Sequence, residues 1–321
     1  MRYRTFGRTG WPVSEIGYGM WGMAGWTGSD DASSLTSLTR AVELGCTFFD
    51  TAYAYGDGRS ERLLGETLRR HQGSRLYVAT KVPPKNRAWP PRAETPIADV
   101  FPYEYIVSMT HESRKNLGVE RIDLQQLHVW HDAWVADDGW KRAAHDLKRD
   151  GIIGAFGISV NRWEPSNVLA ALDTGLVDSV QVVYNVFDQA PEDALFPACQ
   201  RLGVGVIARV PFDEGSLTGS LSLDSKWPEG DWRNTYFNPE RLRETLHRVD
   251  SLKPLVSEPE RSLADLALRF ILHHPAVSTT IAGMRRLQNV EANLRVSDLA
   301  PLAGERVAAL RAHRWDRTRS R

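Results

Sequence analysis

Three apolar stretches of the sequence each end in an ionisable residue. Asp50 closes the first, Lys81 follows the second and His128 closes the third, while Tyr55 lies in the loop after Asp50. A lone carboxylate at the end of a buried strand would be costly to desolvate unless a cation paired with it. If the stretches are adjacent parallel strands, their ends meet at one edge, and the sequence predicts that these four side chains meet there.

Such a set could reduce a carbonyl group. The hydroxyl of a free tyrosine has a pKa near 10, and a neighbouring ammonium favours the phenolate, so we expect Lys81 to lower the pKa of Tyr55. Asp50 would hold the lysine charged and oriented. Tyr55 could then donate a proton to a developing alkoxide, with a second hydrogen bond from His128. The hydride must come from a cofactor, because no side chain supplies one.

Two simpler interpretations compete with this one. Asp50 and Lys81 could form a structural ion pair, but four such residues in order favour a catalytic site. His128 and His131 have an HxxH spacing, which also occurs in metal-dependent barrel hydrolases. On a strand the two imidazoles would point to opposite faces, and no acidic ligand set lies nearby, so we predict no metal site.

The elements that must position these residues alternate between short β-branched runs and segments of helical period, which is typical of βαβ units. Eight of each predict an α/β fold, a single (β/α)₈ TIM barrel over residues 1–321, since a closed barrel leaves no strand edge exposed. The strand candidates are 14–20, 46–50, 76–80, 123–128, 154–159, 179–183, 204–208 and 278–281. The helix candidates are 31–44, 60–71, 103–117, 137–150, 164–174, 191–202, 261–273 and 287–294.

Two connections are too long to be simple turns, residues 82–102 and residues 211–238. Barrel enzymes build their sites from the loops at the carboxyl ends of the strands, so we expect these two and residues 21–30 to wall a pocket. Their aromatic side chains suit stacked sugars or apolar aldehydes, although each could instead pack into the core. The aromatic residues that we predict for the pocket are Trp21, Trp89 and Trp130.

Composition excludes several other classes of protein. The 40 basic and 40 acidic residues balance, so the basic surface of a nucleic-acid-binding protein is absent. The amino terminus lacks the apolar run of a signal peptide, and no stretch of about 18 apolar residues predicts a membrane span. Cys46 and Cys199 lie in apolar surroundings without a CxxC pair, which favours reduced thiols in a cytoplasmic protein. The arginine-rich end, 311–321, is predicted to be a helix that frays into a solvated tail.

Three motifs, taken together, resemble the signatures of the aldo-keto reductases. They are Phe48-Phe49-Asp50-Thr51-Ala52-Tyr53-Ala54-Tyr55-Gly56 with Ser60-Glu61, Thr80-Lys81, and Asp123-Leu124-Gln125-Gln126-Leu127-His128. The resemblance implies that Asp50, Tyr55, Lys81 and His128 form a catalytic tetrad with Tyr55 as the general acid. It also implies a cofactor that lies extended at the barrel mouth without a Rossmann domain. The absence of a GxGxxG motif after a strand agrees with this.

The same resemblance assigns residues to the nicotinamide end of the cofactor. Ser159 and Gln181 resemble the partners of the carboxamide, and Tyr184 resembles the aromatic ring that stacks on the nicotinamide. Strand alternation would equally allow Tyr184 to be part of the core. The family usually has an asparagine directly after the serine; here Val160 intervenes before Asn161.

Further residues resemble those that contact the rest of the cofactor. After the seventh strand the family commonly has a Ser-Pro-Leu loop around the pyrophosphate; here Arg209 introduces a positive charge, and Gly215 and Leu217 follow. A segment at the start of a later helix is similar to the family's adenosine site. Its arginine and the helix amino terminus suit a 2′-phosphate, which favours NADP(H) over NAD(H). The residues concerned are Arg285, Asn289 and Asn293.

The sequence thus predicts an NADP(H)-dependent oxidoreductase that acts on a small carbonyl or alcohol substrate, as a monomer or a homo-oligomer. The alternative is a cofactor-sensing regulatory protein with little turnover, because potassium-channel β subunits share this fold and tetrad. Turnover of a simple aldehyde would separate the two.

Overall fold

The fold is a closed parallel barrel, seen in a computed structural model that describes residues 1–25, 28 and 30–317. The barrel strands pair in sequence order, and the last one bonds back to the first, from Thr280–Gly283 to Ile16–Gly19. The predicted (β/α)₈ fold class is confirmed. The barrel strands are β3 Ile16–Gly19, β4 Phe48–Asp50, β5 Tyr77–Val82, β6 Ile122–Leu127, β7 Ile153–Ser159, β8 Ser179–Val183, β9 Gly205–Arg209 and β10 Val277–Gly283.

The helices surround the barrel, and their periodicity predicted most of them to within a few residues. They are α1 Asp31–Glu43, α2 Arg59–Arg70, α3 Tyr103–Leu117, α4 Asp138–Arg149, α5 Leu169–Asp173, α6 Leu195–Leu202, α7 Arg233–Tyr236, α8 Pro239–Leu252, α9 Leu263–His273, α10 Leu287–Arg295 and α11 Gly304–Arg311. Helix α8 was missed, although Asn238 caps its first turn and proline occupies its first position, both recognisable start signals.

A hairpin at the amino terminus closes the bottom of the barrel, and the first predicted strand, 14–20, did not include it apart from Ser14. It consists of β1 Tyr3–Phe6 and β2 Trp11–Ser14, paired antiparallel. Phe6 stacks on Phe48 inside the barrel, with ring centroids 5.5 Å apart. Gly7 has φ +50°, and a Cβ there would lie 2.4 Å from the nitrogen of Gly205, so only glycine allows this approach.

The barrel interior changes from apolar at the bottom to polar at the top. Alternate residues of each strand point inward, and the lower ones, including Phe48, Leu124 and Ile207, form an apolar cluster. One layer higher, Asp50 and Gln126 are buried polar residues. Since the strands are parallel, their carboxyl ends deliver all the upper polar groups to one mouth.

The described part of the arginine-rich end, residues 311–317, does not form the frayed, solvated helix that its arginines suggested. Helix α11 ends at Arg311, and the chain continues without regular structure to Arg317, which is buried and ion-paired with Asp213. This prediction was wrong because Asp213, a buried acid more than a hundred residues away, provides the counter-ion. Residues 318–321 of the predicted tail, and residues 26, 27 and 29 of the predicted pocket wall 21–30, lie outside the described residues.

The two long connections contain short helices of their own. In residues 211–238 the chain forms a 3₁₀ turn, Asp213–Thr218, and helix α7. In residues 82–102 a further 3₁₀ turn, Ile97–Asp99, precedes α3. Within residues 1–25, 28 and 30–317, no helix is both long and apolar enough to cross a membrane.

Candidate active site

Asp50, Lys81 and Tyr55 meet at the carboxyl ends of β4 and β5, as predicted. The ammonium of Lys81 is fully buried and donates to Asp50 Oδ1 at 2.6 Å and to the carbonyl of Thr51 at 2.7 Å. Its Nζ lies 3.5 Å from the hydroxyl oxygen of Tyr55. A buried charge of this kind is stable only with such close partners, so the lysine is fixed between the carboxylate and the phenol.

The second oxygen of Asp50 accepts hydrogen bonds from two amides inside the barrel. Gln181 Nε2 donates at 2.7 Å and Gln126 Nε2 at 3.4 Å. Gln181, predicted as a carboxamide partner, therefore already uses its amide nitrogen on Asp50. Gln126 was not among the predicted site residues, although its even spacing from Leu124 and His128 could have placed it on the inward face of β6.

His128 stands beside Tyr55 at the mouth, with the two rings edge to face and their centroids 5.8 Å apart. Its Nδ1 is buried without a hydrogen-bond partner among the described residues. The indole of Trp89 packs edge to face on the other side, 5.9 Å away, and donates to the carbonyl of His128 at 3.4 Å. The imidazole thus contacts two aromatic rings, and its Nδ1 has no hydrogen-bond partner among the described residues.

The electrostatics of the site differ from the expectation in one respect. Burial raises the pKa of Tyr55, and the opposing effect of the Lys81 ammonium only partly offsets it. Burial also holds the pKa of His128 well below its usual value, with Lys81 and Arg209 acting in the same direction. Tyr55 is therefore a protonated phenol and His128 a neutral imidazole near pH 7.

The predicted nicotinamide contacts are found in very different surroundings. Ser159 ends β7 at the mouth and is 4% exposed. The amide of Asn161 is occupied within its own turn, because Nδ2 donates to Glu164 at 2.7 Å and Oδ1 accepts from the backbone of Trp163 at 3.2 Å. Val160 thus separates Ser159, at the strand end, from Asn161, whose amide is used in the turn that follows.

The structure corrects the expectation for Tyr184. Its ring lies in the core between Phe196 and Phe270, with centroids 4.9 and 5.7 Å away, and its hydroxyl donates to Glu192 at 2.6 Å. The side chain points outward from the barrel to α6 and α9, so it cannot stack on a ring held at the mouth. From the sequence, strand alternation allowed Tyr184 either at the mouth or in the core, and the observed side chain follows the alternation of β8 to its outer face.

The loop after β9 is strained and internally bonded. Val210 adopts φ +58°, a rare conformation for a β-branched residue. The backbone nitrogens of Gly215 and Leu217 both donate to the carbonyl of Phe212, at 2.9 and 3.0 Å, and the Leu217 side chain is buried. Neither nitrogen is free for a pyrophosphate in this conformation, contrary to the expectation from the sequence.

Two arginines occupy the mouth beside this loop. The Nη2 of Arg209 donates to the carbonyl of Val160 at 3.1 Å, and its field reaches Tyr55 and His128, because it lowers the pKa of both. The charge predicted near phosphate is therefore beside Tyr55. Arg162, which the sequence analysis missed, donates to Glu214 at 2.6 Å and to Tyr236 at 2.9 Å. These hydrogen bonds join the segment after β7 to the long connection 211–238.

The predicted adenosine contacts cluster at the start of α10. Arg285 is half-buried just before the helix, Asn289 is exposed in its first turn and Asn293 is buried one turn later. Gly283 precedes them with open space where a side chain would stand. A helix amino terminus with an adjacent guanidinium is suited to a phosphate group.

Of the three tryptophans predicted for the pocket, two lie at the mouth. Trp89 is 46% exposed over His128, and Trp21 is 37% exposed just after β3. Trp130 is fully buried against Trp134 and Trp140, so the structure removes it from the pocket. Its position after the β6 end suggested the pocket, but its ring points outward to α4. Among residues 1–25, 28 and 30–317, no group of three His, Cys, Asp or Glu could hold a metal ion.

Comparison with known proteins identifies the family of this chain. The sequence model of the Aldo/keto reductase family matches residues 15–314, and the chain belongs to that family. It is a family of oxidoreductases that interconvert carbonyl and alcohol groups with nicotinamide cofactors. The aldo-keto reductase AKR11C1 from Bacillus halodurans, solved in its holo form, superimposes with a TM-score of 0.78 at 26% identity, over 99% of this chain and 98% of its own.

Two curated relatives show how widely the family varies. A probable voltage-gated potassium channel subunit beta from Oryza sativa subsp. japonica is 28% identical over 94% of this chain and 93% of its own length. The NADH-specific methylglyoxal reductase of Escherichia coli is 25% identical over 92% of this chain and 93% of its own. The two relatives thus differ in role, and one of them is specific for NADH.

Proposed function

We propose that the chain is an NADP(H)-dependent reductase of aldehydes or ketones with Tyr55 as the general acid. The observation that carries the proposal is the position of Lys81, whose buried ammonium touches Asp50 at 2.6 Å and lies 3.5 Å from the Tyr55 hydroxyl. A structural ion pair would not need a phenol at the mouth beside it. The exposed rings of Trp21 and Trp89 favour a substrate with an apolar or sugar face.

Each residue of the site has a distinct role in this proposal. The nicotinamide supplies the hydride when it is bound. Tyr55 donates its proton to the carbonyl oxygen, and the neutral His128 donates a second hydrogen bond to the same atom. Lys81 stabilises the phenolate that Tyr55 becomes, while Asp50 and the amides bonded to it keep Lys81 in place.

The residues at the two ends of the proposed cofactor site fit a nicotinamide adenine dinucleotide phosphate. Ser159 offers a hydroxyl at the reacting end, where Arg209 Nε and His128 Nδ1 are buried without partners among the described residues. At the other end, Arg285 and the first turn of α10 are suited to a 2′-phosphate. We expect tight binding of NADPH and weaker binding of NADH, measured by quenching of tryptophan fluorescence. Failure to bind either cofactor would overturn the proposed function.

The role of Arg285 can be tested separately. Arg285→Met should weaken NADPH binding about tenfold or more, since charge-assisted hydrogen bonds to phosphate are lost, and leave NADH binding unchanged. Arg69 is an exposed arginine in the last turn of α2. Arg69→Met removes the same charge and should change the affinity for neither cofactor. Equal losses for both cofactors in Arg285→Met would place the 2′-phosphate elsewhere.

The pH dependence should differ between the two directions of the reaction. Reduction needs the protonated phenol, and the raised pKa of Tyr55 keeps it protonated, so the reduction rate should stay level from about pH 6 to 8. Oxidation needs the phenolate and should rise over the same range. Steady-state rates at saturating substrate in each direction test this. A reduction rate that falls with pH in this window would show that the acid has a lower pKa than the structure implies.

A cofactor-sensing regulatory role is the second candidate, because one relative is a probable potassium channel β subunit. Such a protein would bind NADPH as tightly but turn over simple aldehydes very slowly. Measurable multiple turnover with a simple aldehyde, lost in Tyr55→Phe, would favour the enzyme.

A further inference from the structure

Arg209 carries a positive charge at the mouth with no carboxylate bonded to it. Its Nη2 donates to a backbone carbonyl, that of Val160, and its Nε is buried without a partner. Among residues 1–25, 28 and 30–317, no Asp or Glu oxygen lies within ion-pairing distance of this guanidinium. Burial and the nearby charge of Arg162 lower the pKa of Arg209 to about 10, so it stays protonated at pH 7.

The other two cations of the mouth are neutralised by acids. Lys81 pairs with Asp50 at 2.6 Å, and Arg162 pairs with Glu214 at 2.6 Å. Arg209 therefore contributes a positive potential at Tyr55 and His128, where its charge lowers the pKa of both groups. In a buried site such a potential is screened much less than on the surface.

This potential distinguishes the two states of a nicotinamide. The oxidised ring carries a positive charge and the reduced ring is neutral, while the rest of the cofactor is the same in both. In carbonyl reduction the hydride goes to the carbon and the Tyr55 proton to the oxygen bonded to it. The reacting ring must therefore lie close to Tyr55, within the potential of Arg209.

We propose that Arg209 makes the site discriminate between cofactor oxidation states, weakening the binding of the oxidised form relative to the reduced form. The inference rests on the proposed function. In the reductive direction it favours release of the spent cofactor and its exchange for a reduced one. Arg209 acts here as an electrostatic selectivity residue, and its neighbour Val160 holds it in place.

The test compares dissociation constants for NADPH and NADP⁺ in the same protein by quenching of tryptophan fluorescence. Arg209→Gln, which keeps a hydrogen-bond donor but loses the charge, should tighten NADP⁺ relative to NADPH about tenfold. Arg209→Lys should retain most of the wild-type ratio. Because both constants come from one sample, partial unfolding of a variant cancels in the ratio.

Arg285→Met is the matched control, since the 2′-phosphate is identical in both oxidation states. It should weaken both forms equally and leave the ratio unchanged. A ratio unchanged in Arg209→Gln, while both forms still bind, would overturn the inference and leave the proposed function intact. Wild-type protein that binds neither form would overturn the proposed function itself.

Discussion

Replacing Tyr55 by phenylalanine is expected to reduce turnover about a thousandfold, because the proton for the carbonyl oxygen then has no donor at that position. The ring, its edge contact with His128 and the Lys81–Asp50 pair should remain. Cofactor affinity should therefore change little. Consumption of NADPH with a simple aldehyde measures the first effect, and fluorescence titration measures the second.

Tyr53→Phe is the matched control, because Tyr53 lies in the same loop and loses the same hydroxyl group. It should retain nearly the wild-type rate. If Tyr55→Phe kept substantial activity, Tyr55 would not be the general acid, and the neighbouring His128 would be the next candidate.

Replacing Arg317 by methionine is expected to lower the free energy of unfolding by about 3 kcal/mol, because it leaves buried acids without their cation. Arg317 pairs with Asp213, which also accepts hydrogen bonds from Tyr236 at 2.8 Å and Ser216 at 2.7 Å. Asp188 lies close by, and burial together with Asp213 raises its pKa to about 6. Without Arg317, the carboxylates of Asp213 and Asp188 would have Arg162 alone, among the described residues, as their counter-ion. Urea denaturation at pH 7 measures the loss.

Arg314→Met provides the comparison, since Arg314 lies three residues earlier and pairs with Asp193 and Asp316 at the surface. Exposed ion pairs contribute little, so this variant should lose less than about 1 kcal/mol. Equal stability of the two variants would mean that the buried network contributes no more than a surface pair.

The barrel could be predicted from the sequence because its signal is local and repeated. Each strand is a short β-branched run followed by a helical period, and all eight predicted runs overlap observed strands. The amino-terminal hairpin was missed because its strands, Tyr3–Phe6 and Trp11–Ser14, are only four residues long each, and the predicted strand 14–20 includes only the last residue of the second. The buried position of Arg317 has no local signal at all, since its partner Asp213 is distant in sequence.

The site residues likewise fall into those that could be predicted from local sequence and those that could not. Asp50, Tyr55, Lys81 and His128 could be predicted because strand ends in a parallel barrel must share one mouth. Trp130 was misplaced because packing sets the direction of a side chain beyond a strand end, and Tyr184 was misplaced because strand alternation allowed both the mouth and the core. Arg162 was missed because nothing in its neighbourhood along the chain indicates Glu214 or Tyr236 as partners.

The pairing of β3 with β10 has a consequence for how the protein is made. Ile16–Gly19 is synthesised well before its partner Thr280–Gly283, which lies more than 250 residues further along the chain. Until those residues are made, one edge of β3 has no hydrogen-bonding neighbour, and unpaired edges of apolar strands promote aggregation. Closing the barrel therefore removes an edge that is open to wrong pairing while the residues between the two strands are synthesised.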